Sequence, residues 1–211
     1  MSKVKRVYVE KKEAYAVAAK ALSHEIRHYL SIKNVTGVHL MIRYDLQNVP
    51  DAVYDTALRG VFSEPPVDRV FEEEMPYEGR SFTVEYLPGQ YDQRADSAEQ
   101  CLKLLKEGIE PIVRSATTYV IEGEITDAEF DRIKSHCMNP VDSHIAGEAK
   151  PDSLMQDFAE PDDVAVFDGF IGMSEESLKG LYDSLGLAMT FADFLHIQNY
   201  FKNEEQRDPT V

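Results

Sequence analysis

The chain echoes itself once. Val9-Glu10 returns as Val84-Glu85, 75 positions on; Asp51-Ala52-Val53-Tyr54-Asp55 returns as Asp127-Ala128-Glu129-Phe130-Asp131, 76 on. Pro66-Val67-Asp68 returns as Pro140-Val141-Asp142, 74 on. Three matches in order at nearly one offset point to a duplicated unit. The competing reading is that short matches arise in any two α+β segments. A duplication constrains the fold strongly, because whatever the first half forms the second must form as well.

The hydrophobic pattern has the same repeat. Val7-Tyr8-Val9 is β-branched and aromatic, a strand signal. Ala14, Val17, Ala18, Ala21, Leu22, Ile26, Tyr29 and Leu30 recur at three- and four-residue steps, which predicts an amphipathic helix. Val38, Leu40 and Ile42 alternate with His39, Met41 and Arg43 as a strand. A second helix opens at Pro50-Asp51 and stops at Pro65-Pro66, followed by a short strand from Val67 to Phe71. The order then restarts: a strand over 81–87, a helix, a strand over 112–122 and a helix ending at Asn139-Pro140. Ser97 with Gln100, and Thr126 with Glu129, have capping-box spacing at the starts of those two helices. The prediction is an α+β fold of tandem βαββα-type units that form one sheet system with helices on one face. Each half-sheet needs cover for its edge, and pairing the halves supplies it.

Three segments are expected: 1–148 as the tandem domain, 149–165 as an acidic, proline-broken linker, and 166–211 as a small helical region. The linker carries Pro151, Asp152, Asp157, Glu160, Pro161, Asp162 and Asp163. In the last segment Ser174 and Thr190 read as N-caps and Gly186 as a helix stop. Nothing at Arg207-Asp208-Pro209-Thr210-Val211 is expected to close a fold, so these helices are expected to pack on something larger.

With 38 acidic and 22 basic residues, the formal net charge is −16, which disfavours nucleic acid as a partner. No apolar run is long enough to span a membrane, and residues 1–6 lead straight into a strand without a signal-like apolar region. Cys101 and Cys137 fit no metal or disulfide spacing, so a cytoplasmic protein with reduced thiols is expected. No nucleotide, dinucleotide, zinc or nucleophile-elbow motif is present. No catalytic, cofactor-binding or metal-binding residue is therefore assigned. His24 and His28, one turn apart, read as a solvated helix face. Cys137 beside His136 reads as a core thiol next to a surface ring, and Glu72-Glu73-Glu74 as a solvated strand end.

The densest polar stretch joins a strand to a helix start: Gln90, Asp92, Gln93, Arg94, Asp96 and Ser97. A helix N-terminus there offers free N–H groups. The alternatives are an ordered structural loop with Arg94 and Asp96 paired, a contact with another domain, or a ligand site.

The segment Tyr86-Leu87-Pro88-Gly89-Gln90-Tyr91-Asp92-Gln93-Arg94-Ala95-Asp96-Ser97-Ala98-Glu99-Gln100-Cys101 resembles part of the large phosphoribosylformylglycinamidine synthases. So do Arg114-Ser115-Ala116-Thr117-Thr118-Tyr119-Val120-Ile121-Glu122-Gly123 and Leu185-Gly186-Leu187-Ala188-Met189 with Tyr200-Phe201 and Arg207-Asp208-Pro209-Thr210. The resemblance runs in order along essentially the whole chain. It implies the family's N-terminal region, a fused tandem of the accessory subunit of split systems followed by the start of a linker domain. It also implies, elsewhere in the full-length protein, a synthetase domain using ATP and magnesium and a glutaminase domain that releases ammonia. In that family the ligase of purine biosynthesis replaces an amide oxygen of formylglycinamide ribonucleotide with glutamine nitrogen. The linker's histidine-bearing motif, the ATP site and the glutaminase Cys/His/Glu set have no counterparts here. The implied role is a scaffold that docks synthetase and glutaminase and helps enclose the ammonia path, with Gln90 to Ser97 as the candidate contact. A stand-alone assembly subunit is the second reading, which the open-ended tail disfavours. A ferredoxin-like RNA-binding domain is the third, disfavoured by the charge and the lack of basic-flanked aromatics.

Overall fold

The computed structural model describes residues 3–155 and 160–211, and divides the chain into two compact units, Met1–Gln156 and Asp157–Val211. Asp157 of the predicted linker lies outside the described residues.

The first unit is a mixed α+β fold. Its elements run β1 (Lys5–Lys11), α1 (Val17–His28), β2 (Val35–Gln47), α2 (Asp51–Gly60), β3 (Asp68–Glu72), β4 (Arg80–Tyr86), α3 (Gln93–Leu105), β5 (Ile112–Gly123), α4 (Asp127–Cys137) and β6 (Ser143–Ile145). One six-stranded sheet has the order β3-β1-β2-β5-β4-β6, antiparallel at every junction. Moving each strand label three places on, β1 to β4 and so forth, reverses this order onto itself.

The registers follow the same rule. Val9 pairs with Ile42, and Val84 pairs with Thr117, each residue 75 positions further on. Val9 pairs with Val70, and Val84 with Ile145, again at a shift of 75. At the centre Ile42 pairs with Thr117, its own counterpart at that shift. A pseudo-twofold axis therefore passes through this pair. A one-residue slip on either side would have sent every side chain to the wrong face.

All four helices pack on one face. Two cores lie beneath them, and their members correspond. Beneath α2 and α3 lie Val7, Tyr44, Leu46, Tyr54, Ala57, Ala98 and Leu102. Beneath α1 and α4 lie Phe82, Tyr119, Ile121, Phe130, Ile133, Leu22 and Ile26. The strand residues match at a shift of 75 and the helix residues at 76. Side-chain sizes differ between partners: Val7 and Ala57 answer to Phe82 and Ile133, and the first core fills its space with Phe62, Leu58 and Val61. Interiors conserve packed volume rather than residue identity.

Helix starts follow capping chemistry. Thr126 and Glu129 form the predicted capping box on α4. The predicted box of Ser97 and Gln100 does not form. Asp92 caps α3 instead, accepting from the Ala95 N–H at 2.9 Å, so the helix begins five residues earlier and Ser97 lies inside it. An Asp at the N-cap satisfies the orphan donor as well as a Ser does, and the chain reaches Asp92 first.

The opposite sheet face carries charge. Arg6, Glu10, Arg43 and Asp45 are each no more than 5% exposed. Arg6 grips Asp45 with two bonds of 2.6 and 2.8 Å, and Arg43 reaches Asp45 at 3.5 Å and Glu85 at 3.2 Å. Residues 146–154 lie over this layer. The Arg6, Arg43 and Arg114 guanidiniums donate to the carbonyls of Glu148, Gly147 and Leu154. The Leu154 N–H donates to the Gln47 side chain at 2.8 Å, and Lys150 pairs with Glu73. Three residues at the start of the segment predicted as linker, Lys150, Ser153 and Leu154, are thus bonded to the first unit. Glu73 is not merely a solvated strand end: its backbone is left-handed (φ 65°) and its carboxylate also accepts from the Arg6 N–H.

The second unit has α5 (Glu175–Leu185) and α6 (Phe191–Tyr200) around Phe170, Leu178 and Phe194. Ser174 and Thr190 cap them as predicted, and Gly186 ends α5 in the left-handed conformation. The expectation that nothing in the chain's last residues closes a fold is overturned. The Asp208 carboxylate accepts from Gly169 N–H at 2.7 Å and Ile171 N–H at 3.0 Å, and Thr210 bridges to Val166. Buried Gln198 ties α6 to the carbonyls of Phe170 and Met173. Among the described residues no helix is long and apolar enough to cross a membrane.

Candidate functional site

The polar stretch between β4 and α3 is shaped by a turn and a cap. The Gln90 N–H returns to the Leu87 carbonyl at 3.0 Å across Gly89, whose φ of 89° favours glycine. The Leu87 N–H donates to Asp142, tying the turn to the loop before β6. Asp92 then does two jobs. It caps α3, and it accepts from the Ser115 N–H at 3.0 Å and hydroxyl at 2.9 Å on β5. This carboxylate pins the helix start to the sheet.

Four of the six predicted residues come together. Asp92, Gln93, Arg94 and Ser97 line a cleft of about 690 Å³, facing Ser115 and Thr117 of β5 and Asn139 and Asp142 beyond α4. Gln90 and Asp96 lie outside that lining. The considered Arg94–Asp96 pair does not form. Asp96 instead accepts from the Tyr91 hydroxyl at 2.8 Å and the Gln100 amide at 2.7 Å. Among the described residues Arg94 has no hydrogen bond or ion pair, and it is exposed. The stretch thus presents one unengaged guanidinium beside two exposed polar side chains, Gln93 and Ser97.

Two free thiols line the cleft, exposed Cys101 and half-buried Cys137. Burial, with Glu25 adding a smaller push, raises the Cys137 thiol to about 12, far from a thiolate at neutral pH. His136 beside Cys137 turns away and meets Glu25 at 2.9 Å. His24 and His28 are exposed, with ring centroids 4.2 Å apart and planes tilted by 32°. No group of three or more His, Cys, Asp or Glu side chains could hold a metal among the described residues.

Sequence reasoning missed a second polar cluster. Glu10 on β1 meets His39 at 2.8 Å, the Tyr77 hydroxyl at 2.5 Å and Arg69 at 3.7 Å. Tyr77 stacks on His39 at 3.6 Å, and burial followed by the bond to Glu10 pushes its hydroxyl up to about 12. Arg6, Glu10, His39, Arg43 and Asp45 share one face of two strands with Tyr8 and Met41 between them. Charges at alternate strand positions ordinarily read as a solvated sheet face, so the sequence pattern did not reveal that this one is covered.

No known family model matches this sequence, and no curated protein is significantly similar to it.

Proposed function

We propose that this chain is a non-catalytic scaffold of the phosphoribosylformylglycinamidine synthase type. On this reading it docks a synthetase and a glutaminase domain that together carry ATP- and glutamine-dependent amide-to-amidine conversion in purine biosynthesis. It acts in the cytoplasm without nucleic acid or membrane as partner, and binds no ATP or magnesium itself. The observation that carries the reading is the common shift of 75 in the strand registers. It supports a tandem of one accessory-type unit, which the sequence resemblance independently implies. The unengaged Arg94 supports the 90–97 stretch as the docking contact, since an exposed, unpaired guanidinium at a helix start suits a carboxylate-bearing surface.

Two experiments test this. An antibody raised to this chain, used to blot source-cell extract, should detect a band several times heavier than 23.9 kDa. A band at 23.9 kDa would favour a separate assembly subunit. In the intact ligase Arg94→Ala should lower glutamine-dependent turnover while sparing turnover on free ammonia, and equal loss of both would sink the docking role.

A further inference from the structure

The two halves differ where each half's first helix meets its long strand. The β4–β5 ladder stops at Glu85↔Ala116, leaving the Ser115 and Val113 N–H groups on that side without a strand partner. Two carboxylates from α3 take them, Asp92 on Ser115 at 3.0 Å and Glu99 on Val113 at 2.8 Å. Because Asp92 also caps α3, one carboxylate bridges a helix start and a strand edge.

The β1–β2 ladder stops in the same way at Glu10↔Met41, 75 positions earlier. Leu40 and Val38 hold the places of Ser115 and Val113. The helix residues in the places of Asp92 and Glu99, 76 positions earlier, are Ala16 and Ser23. Neither carries an acid. α1 has no side-chain cap and no acidic residue in its first turn. Among the described residues no side chain bonds the N–H of Leu40 or Val38. Ala16, Ser23, Val38 and Leu40 line one cleft of about 720 Å³, together with the cations Lys11, Lys20 and Arg69 and the carboxylates Glu10, Glu13 and Glu122. A strand edge that bonds carboxylates in one half is therefore open in the other, where the lining cations and carboxylates balance.

We propose that this cleft binds an extended segment of a partner protein, one of whose carboxylates takes the place Asp92 fills in the second half. The internal repeat identifies the chemistry, since the same edge there accepts carboxylates and nothing else. The strand edge identifies the form: beyond the ladder's end its groups alternate donor and acceptor, which a short strand-like segment matches and a compact anion does not. The proposal does not depend on the scaffold reading.

The test is a titration of the isotope-labelled full chain, followed at its backbone amide resonances. The probes are a blocked extended peptide with one Asp, the same peptide with Asn, and sodium acetate. The Leu40 and Val38 amides should shift and saturate with the Asp peptide, and the Asn peptide should bind at least about ten-fold more weakly, as loss of a charge-assisted bond implies. Ala16→Asp, which supplies the carboxylate from within the chain, should abolish binding and leave the remaining resonances folded. Equal binding of the Asp and Asn peptides, undisturbed Leu40 and Val38 amides, or full binding to the Ala16→Asp protein would each overturn the proposal. Acetate saturating those amides as tightly as the peptide would overturn the peptide form.

Discussion

The two halves of the first unit agree beneath their helices and disagree elsewhere. Their cores use corresponding positions: Ile26 stands where Leu102 stands, and Tyr119 where Tyr44 stands. On the other face, Arg6, Arg43 and Asp45 correspond to Ser81, Thr118 and Val120. One half has a buried ion cluster covered by residues 146–154, whereas the other has a hydroxyl pair, Thr83 to Thr118 at 2.8 Å, and an apolar side chain. The difference shows what a duplicated sheet must keep. The helix-packed face fixes register and cannot diverge in polarity, because one polar residue there would be buried without a partner. The far face is free to diverge as long as each buried charge finds an opposite charge or a carbonyl.

The largest test of that contrast is Asp45→Ala. It leaves buried Arg6 with only the Glu148 carbonyl and Arg43 with Glu85 and the Gly147 carbonyl, and unfolding by urea should show a loss of about 3–5 kcal/mol. Replacing the trio with the other half's residues, as Arg6→Ser, Arg43→Thr and Asp45→Val together, removes both cations with the carboxylate and should lose less than Asp45→Ala, the remaining cost coming from the volume emptied beneath residues 146–154. If the triple variant proves less stable than Asp45→Ala alone, the two far faces are not interchangeable.

Next in size is the strand-edge contrast. Asp92→Ala removes a helix cap and the Ser115 bonds together, so about 1–3 kcal/mol should be lost. Ala16→Asp installs the missing cap in the first half and should add up to about 1 kcal/mol, visible as a higher melting temperature. A destabilising Ala16→Asp would mean that α1 and β2 do not present the geometry that α3 and β5 do.

The smallest effect separates the helix starts of α2 and α4. Pro50 gives α2 no side-chain cap, whereas Thr126 and Glu129 form a box on α4. Bonds from the backbone and then the hydroxyl of Thr126 hold the Glu129 carboxyl below its ordinary value. A carboxyl depressed in the folded state stabilises fully above the ordinary carboxylate range, near pH 4.3, and loses that contribution as pH falls through its folded value. Between pH 6 and pH 3, Glu129→Gln should therefore lose slightly less stability than the parent protein. Gln also fits the box, so the two should be nearly alike at neutral pH. Identical acid limbs would remove Glu129 from the account.

The alternation of Val7 with Val9, the three- and four-residue steps through Leu22 and Ile26, and the boundaries at Gly186 and Asn139-Pro140 are local properties. A period of two or of 3.6, a breaker and a cap act within a few residues, so the sequence alone determined the order of elements and the echo between halves. The polar stretch of Gln90 to Ser97 was legible as a helix start, but its first residue was misplaced, because two acceptors, Asp92 and Ser97, competed for the same role. What only the tertiary structure decided is long-range: the central pairing of Ile42 with Thr117, the cover over Arg6 and Arg43, the closure of the second unit by Asp208, and the open edge at Leu40. Each depends on which distant backbone or side-chain group arrives beside another. No periodicity encodes that arrival, since it follows from packing the whole sheet at once.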